Sequence, residues 1–261
     1  MGDRILTGQR TSWTTRRDEK RRRLESVKPW MRGPVLAQNK MVEALETVIQ
    51  SGDRVVMEGD NQKQADFLSR SLAKVDPKKI HDLHLIISSI SRPEHLTIFE
   101  LGIAKKVDFA FAGPQSLRVA QLLEDGVLEI GAIHTYVELY ARLLVDLIPN
   151  VVLVCAEQAD QEGNLFTGPN TEDTPVIVEA AAFHDAIVIV QVNKIVDALP
   201  RVDIPGSWVD LVDLHDHNRV VEGGGLNNYG GIFGVGSCKQ IAVLIRLLGA
   251  NQYHVRDKIH E

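Results

Sequence analysis

Three stretches of this sequence gather side chains that could hold an anion or move an acyl group. The first is Glu58-Gly59-Asp60-Asn61-Gln62-Lys63-Gln64, which follows an apolar run and opens a helical pattern. A loop in that place offers backbone amides at a helix N-terminus beside Asn61, Gln62, Lys63 and Gln64. Such donors bind a carboxylate, a phosphate or a developing oxyanion. The loop has neither the glycine pattern of a dinucleotide fingerprint nor the Gly-Lys-Ser/Thr ending of a P-loop. Its plainer reading is a helix cap by Asp60 or Asn61 among solvated neighbours. The second stretch, Gly113-Pro114-Gln115-Ser116, is a strand-to-helix turn with similar potential, or turn chemistry alone. The third, Asp160 to Pro175, crowds Asn164, Thr167, Asn170, Thr171, Glu172, Asp173 and Thr174 between two apolar runs. Long loops inside compact domains are functional or disordered, and the apolar pair Leu165-Phe166 argues for order. Glu58 and Glu172 are the carboxylates these loops make available for catalysis, and the spacing does not choose between them.

Other reactive types are placed less well. His81 and His84 flank a strand start and lack a nearby third ligand, so no metal site is expected there. His215 and His217 beside Asp213 and Asp216 read as a polar surface loop rather than a divalent-ion site. His134, placed after a helix and turn over Leu128 to Ile133, is either an acid–base group or a histidine hydrogen-bonded at an element boundary. There is no Gly-x-Ser-x-Gly elbow. Of the two cysteines, Cys155 and Cys238, the first lies in an apolar run and reads as a buried thiol.

The elements that must position these loops follow from the pattern. Apolar residues at Met41, Val42, Leu45, Val48 and Ile49 predict a helix over Asn39 to Gln50. Arg54 to Met57 reads as a strand, and Ala65 to Leu72 as a helix. Leu83 to Ile87 is a strand, Phe99 to Ala104 lies in a helix, Val107 to Ala112 is a strand and Gln115 to Leu123 a helix. Val151 to Ala156 and Ile187 to Val192 are the strongest later strands. Continuous Val, Ile and Leu runs belong to strands buried on both faces. Their alternation with helices predicts an α/β fold, a mainly parallel sheet flanked by helices. Ligands then bind outside the carboxyl ends of the strands, where the three loops lie.

With 261 residues and a net charge of −6, the chain can bury a large core without staples. Residues 1–32 hold ten Lys or Arg against four Asp or Glu, leaving 19 basic against 31 acidic residues in the rest. An acidic body argues against nucleic acid as a partner. The basic stretch Arg16 to Arg23 reads as a solvated helix or a flexible leader rather than an anion- or nucleic-acid-binding arm. No apolar run reaches the ~20 residues of a membrane helix, and the N-terminus lacks the apolar core of a secretory signal. A cytoplasmic protein, without membrane association, is expected.

The segments Gly163-Asn164-Leu165 to Asn170, Pro175-Val176 and Ala180-Ala181-Ala182 resemble the Gly-Asn-Leu loop of class I coenzyme A transferases. Ile204-Pro205-Gly206 with Val209-Asp210 is similar to that superfamily's Pro-Gly-x-x-Val-Asp signature. Longer strings resemble the malonate decarboxylase α subunits within it: Glu58 to Phe67, Phe109 to Leu117, Glu129 to Tyr136 and Gly168 to Pro175. The resemblance spans roughly Trp13 to Asp210. It implies a class I CoA-transferase-like domain over residues 33–212, after a basic leader, 1–32. The implied activity exchanges malonate for acetate on the thioester of an acyl carrier protein. That carrier's thiol belongs to a phosphoribosyl-dephospho-CoA prosthetic group, so no cofactor is expected on this chain itself. The implied partners are the carrier subunit and the carboxy-lyase subunits of the decarboxylase. A citrate lyase α-like subunit, an acyl-CoA:carboxylate CoA-transferase and a non-catalytic assembly fragment are the competing readings.

Gly59, Asn61, Gln62, Gln64, Gly113, Pro114, Gln115 and Asn170 are the residues expected to bind substrate, and the catalytic residue is left unassigned. Residues 213–261, with Gly223-Gly224-Gly225 and Tyr229 to Gly236, do not align with the family and read as a divergent or truncated glycine-rich tail. Family members carry a second α/β domain that holds the glutamate of class I transferases. Residues 1–261 alone are therefore expected not to catalyse malonyl transfer.

Overall fold

Strand-forming runs and amphipathic segments alternate along the chain, and a computed structural model shows what that alternation builds. It describes residues 13–59 and 63–215, all within one compact unit, Met1–Val220. Asp60, Asn61, Gln62, Cys238, the Asp216 and His217 pair and the glycine-rich tail lie outside the described residues. The strands are β1 (Met31–Arg32), β2 (Val35–Leu36), β3 (Arg54–Met57), β4 (Leu83–Ser89), β5 (Ala104–Phe111), β6 (Glu129–Ile133), β7 (Val151–Ala159), β8 (Leu165–Phe166), β9 (Ile187–Ile195) and β10 (Leu211–Leu214). The helices are α1 (Trp13–Glu25), α2 (Met41–Val48), α3 (Asp66–Leu72), α4 (Pro93–Glu100), α5 (Ser116–Glu124), α6 (Tyr136–Val145) and α7 (Thr174–Phe183).

These strands form one sheet in the order β1-β2-β10-β9-β7-β3-β4-β5-β6, with β8 paired to β7. All pairs are parallel except β1–β2 and β7–β8. The period of two in a strand sends alternate side chains to opposite faces. Val55, Met57, Leu85, Ile87, Val107, Phe109, Leu153 and Ile189 pack against α2, α3, α4 and α5. Val56, Ile86, Val152, Val154, Val188 and Val190 pack against α6 and α7. The expected α/β fold with a mainly parallel sheet is what the chain adopts.

Two expected elements differ. The helix placed at Phe99 to Ala104 ends at Glu100, where Gly102 takes φ +75°, and Ala104 already starts β5. Leu128 to Ile133, read as a helix and turn, is instead the edge strand β6. The α5 helix is closed by Val127 N–H and Leu128 N–H bonding back to Leu122 O, with Gly126 at φ +71°, so the chain leaves it extended.

The basic stretch is helical and is tied to the sheet. Arg16 donates to the carbonyls of His184, at the end of α7, and Pro149, while Lys20 donates to Ala186 O. Arg23 bonds Val48 O, the last residue of α2, and the Asp53 carboxylate. Cations at helix C-termini satisfy carbonyls that have no partner within the helix. Val27, fully buried, joins the core, with Leu24, Trp30 and Met31 packed against it. The boundary expected at residue 32 therefore does not set a leader apart from the domain.

Candidate functional site

In chain order β3, β4, β5 and β6 run to one side of the sheet, whereas β7, β9 and β10 lie on the other. The order reverses between β3 and β7, and loops leaving adjacent strands in opposite directions open a crevice at their carboxyl ends. Glu58, one residue past β3, stands in it. The Glu58 N–H bonds Leu153 O on β7, which fixes its backbone across the reversal.

The Glu58 side chain has no solvent exposure. Its carboxylate accepts from the Cys155 N–H at 2.8 Å and from the Cys155 thiol at 3.4 Å. The Thr174 hydroxyl, at the start of α7, also donates to it. Lys63 Nζ lies 3.6 Å from Glu58 Oε1 and itself donates to the Thr174 hydroxyl and to Thr171 O. Burial pushes the Glu58 carboxyl above the usual carboxylate range, against the pull of Lys63 and the Thr174 hydrogen bond. Burial, with Glu58 beside it, drives the Cys155 thiol well above the usual thiol range, so Cys155 is a packed thiol and not a nucleophile.

Lys63 thus joins the first loop to the third. The residues it draws in include the other candidate carboxylate. Glu172, half-buried, sits at φ +35°, a left-handed conformation that costs a non-glycine residue about 1–3 kcal/mol. Burial and the neighbouring Asp173 raise its carboxyl, while the Asn170 side chain bonds it. Asp173 receives a hydrogen bond from the Tyr140 hydroxyl on α6.

The rest of the Asp160 to Pro175 loop is held by its own motif. Asp160 Oδ1 accepts from the N–H groups of Glu162 and Asn164, and Asn164 Nδ2 donates to Asp160 Oδ2. Asn164 Oδ1 accepts from Gly206 N–H at 2.7 Å. A side chain at 206 would run into Glu162 O and come within 3.0 Å of Asn164 N, so only glycine lets the two segments close. Asp210 of the same signature accepts from Val188 N–H and pairs with Lys20 at the opposite end of the sheet. The Gly163-Asn164-Leu165 segment and the Ile204-Pro205-Gly206 segment are therefore architectural: each holds the other, and together they order the loop that carries Asn170 and Glu172.

Of the expected substrate-binding residues, Gly59, Gln64 and Asn170 are at the crevice. Gly59 is bridged to Gln64 and is demanded by packing, since a Cβ there would meet the Ile87 side chain and lie 2.6 Å from Ser89 O. Gln64 Oε1 accepts from Arg92. Gly113, Pro114 and Gln115 form a short 3-10 turn after β5, two strands away from β3. Among the described residues no hydrogen bond or ion pair links them to the Glu58 group, and the structure does not bring them together with it. Asn61 and Gln62 lie outside the described residues.

Sequence reading missed Asp108. On β5, it accepts from His84 Nε2 at 2.5 Å and from His134 Nε2 at 2.7 Å. Gly131 makes room for this, because a Cβ there would collide with the Asp108 carboxylate. Burial alone would raise the Asp108 carboxyl, yet the two histidine hydrogen bonds outweigh it and hold it below the usual range. His134 is thus a histidine anchored at an element boundary, and His84 is engaged with Asp108. No sequence signal linked residues 84, 108 and 134; only the register of β4, β5 and β6 does. Among the described residues no group of three His, Cys, Asp or Glu is arranged to hold a metal ion, and no helix is long and apolar enough to cross a membrane.

Residues 12–224 match the family described as malonate decarboxylase, alpha subunit, transporter. Over 171 residues the chain is 58% identical to the acetyl-S-ACP:malonate ACP transferase of Malonomonas rubra, covering 66% of this chain and 31% of that protein. It is similar to a chain in the crystal structure of a Pseudomonas malonate decarboxylase hetero-tetramer in complex with malonate. That match has TM-score 0.77 and 68% identity, over 78% of this chain and 38% of that one. An acyl-CoA transferase from E. coli O157:H7 shares the fold at TM-score 0.60 and 20% identity, over 76% of this chain and 52% of that one. The chain thus spans about a third of the length of the Malonomonas rubra and Pseudomonas proteins.

Proposed function

The chain belongs to the malonate decarboxylase alpha-subunit family, and from that we propose that it forms the part of an acyl-carrier-protein transferase that exchanges malonate for acetate on a carrier thioester. The observation that carries this reading is the 58% identity to the Malonomonas rubra transferase. The crevice at the ends of β3 and β7 is the part of the fold suited to the task. Exchange between a carboxylate and a thioester needs donors for the acyl oxygen and a place for the incoming acid. Gln64 and Asn170 are the donors available there, and Lys63 locks their two loops together.

In this reading the thioester arrives on an acyl carrier protein, whose thiol lies on a phosphoribosyl-dephospho-CoA arm. The carboxy-lyase subunits act on the malonyl product, in the cytoplasm. The chain's own contribution is to bind and orient. Glu58, sealed from solvent, holds the crevice together, and Glu172 is the carboxyl placed to meet a ligand.

A chimera tests the proposal. Residues 13–215 replace the matching segment of the Malonomonas rubra protein, and the product is incubated with acetylated carrier and malonate. The carrier is then weighed by mass spectrometry. Malonyl carrier is the expected product. A folded chimera that leaves the carrier acetylated would refute the reading.

A further inference from the structure

Helix α6 is apolar on two sides. Leu139 and Leu143, with Leu147 just beyond the helix, are buried in the core against the sheet and account for one of them. On the side turned away from that core, Val137 is 78% exposed, Val145 74% and Leu144 41%, and Ala141 between them is exposed too. Residues four apart are neighbours on a helix, so Val137, Ala141 and Val145 form one unbroken outward stripe. Single apolar residues on a surface are ordinary, whereas a continuous patch marks a place where something docks.

The symmetry of the stripe says what docks. Outward from Ala141 in both directions, the sequence gives Leu at the second residue and Val at the fourth. The Leu pair, Leu139 and Leu143, turns inward, and the Val pair, Val137 and Val145, turns outward. A surface that contacts a second copy of itself across a two-fold axis must be self-complementary. A helix laid antiparallel on its copy, with the axis at Ala141, meets that demand. Val137 then opposes Val145 of the second copy, and the small Ala141 opposes itself where the backbones come nearest.

The charges fit the same arrangement. At about 100° per residue, Glu138 lies about 60° to one side of Ala141 and Leu144 about 60° to the other, with Arg142 on the Glu138 side. The antiparallel two-fold sets each flank against its own copy. Glu138 therefore stands beside Arg142 of the second copy, offset by about 3 Å along the axis, and the pair forms twice. Glu138 is 52% exposed, with its Oε1 3.3 Å from His134 Nδ1, and Arg142, paired with Asp146 in its own helix, is 33% exposed. Both can reach outward. A parallel pair would instead turn the charged flank of each helix onto the apolar flank of the other, which carries Leu144.

We propose that α6 is a self-association surface, on which two copies of this chain pair antiparallel through Val137, Ala141 and Val145, with Glu138 of each beside Arg142 of the other. The inference stands apart from the transferase reading.

The test is sedimentation equilibrium joined to disulfide trapping. Cys238 is replaced by serine throughout and Cys155 is buried, so a cross-link reports an introduced thiol. A dimer whose share rises with concentration is expected. Val137→Glu and Val145→Glu should each abolish it without changing the circular dichroism spectrum, since both positions face solvent in the single chain. Glu138→Lys should weaken it about tenfold, because like charges then meet on the flank. On oxidation, Ala141→Cys should cross-link to itself. Val137→Cys and Val145→Cys should cross-link to each other when mixed and not alone, being about 12 Å from their own copies along the axis. A chain that is monomeric at every concentration overturns the inference and leaves the stripe to a different partner. A dimer that survives Val137→Glu or is unchanged by Glu138→Lys, or one that fails to cross-link through Ala141→Cys, overturns it as well.

Discussion

Lys63→Met removes the ammonium that faces Glu58 while keeping the length of the side chain. Lys63 is 1% exposed and Glu58 fully buried, so water cannot take the cation's place. Taking one partner from a buried ion pair costs about 3–5 kcal/mol. For a unit of this size each kcal/mol is worth about 2–4 °C of melting temperature, which makes the expected loss about 6–20 °C. The loss should depend on pH. Burial holds the Glu58 carboxyl above its ordinary range, so the folded protein keeps a proton that the unfolded chain gives up. Stability from this group is therefore complete below the ordinary carboxylate range and declines as pH rises through the folded value. Without Lys63 pulling the other way, that decline should be steeper. Thermal and urea unfolding at pH 5 and pH 8 provide the assay. The double variant Glu58→Gln/Lys63→Met leaves no uncompensated charge and should be more stable than Lys63→Met at pH 8. If Lys63→Met stays within ~1 kcal/mol of the wild type at both pH values, less than a buried pair is worth, the account of Glu58 as the anchored centre of the crevice is wrong.

Gly59→Ala places a methyl group against Ile87 and the Ser89 backbone, and urea unfolding should show a loss of about 1–3 kcal/mol. Asn164→Ala frees Gly206 N–H and Asp160, so limited proteolysis should cut between residues 160 and 175 in the variant and spare the wild type. Gln64→Ala, made in the chimera, should slow malonyl transfer by about 10²-fold if it supplies one oxyanion donor, with unfolding unchanged. Gly131→Ala should push Asp108 off its histidines, and the NMR signals of the His84 and His134 rings should shift together.

Most of the sheet was legible because its strands are buried on both faces and read as unbroken runs, such as Val151 to Ala156 and Ile187 to Val192. Edge strand β6 was not, since only one of its faces meets the core and Leu128 to Ile133 carries no alternation strong enough to separate strand from helix. The three loops were found from the rule that ligands lie at carboxyl strand ends. Which of them meet was not legible, because that depends on strand order. The reversal between β3 and β7 joins the loops around Lys63 and Glu172, whereas β4 separates Gly113 from them. The basic segment hid its role because its partners are backbone carbonyls 133 to 168 residues away.

The central claim is that ligand chemistry belongs to the carboxyl-end crevice between β3 and β7. The measurement that tests it most directly is a map of malonate-induced shifts in the backbone NMR spectrum of this chain. The largest shifts are expected at Gly59, Lys63, Gln64 and the segment Asn170 to Thr174. Shifts confined to the opposite end of the sheet, around Arg16 to Lys28 and Asp210, would contradict it.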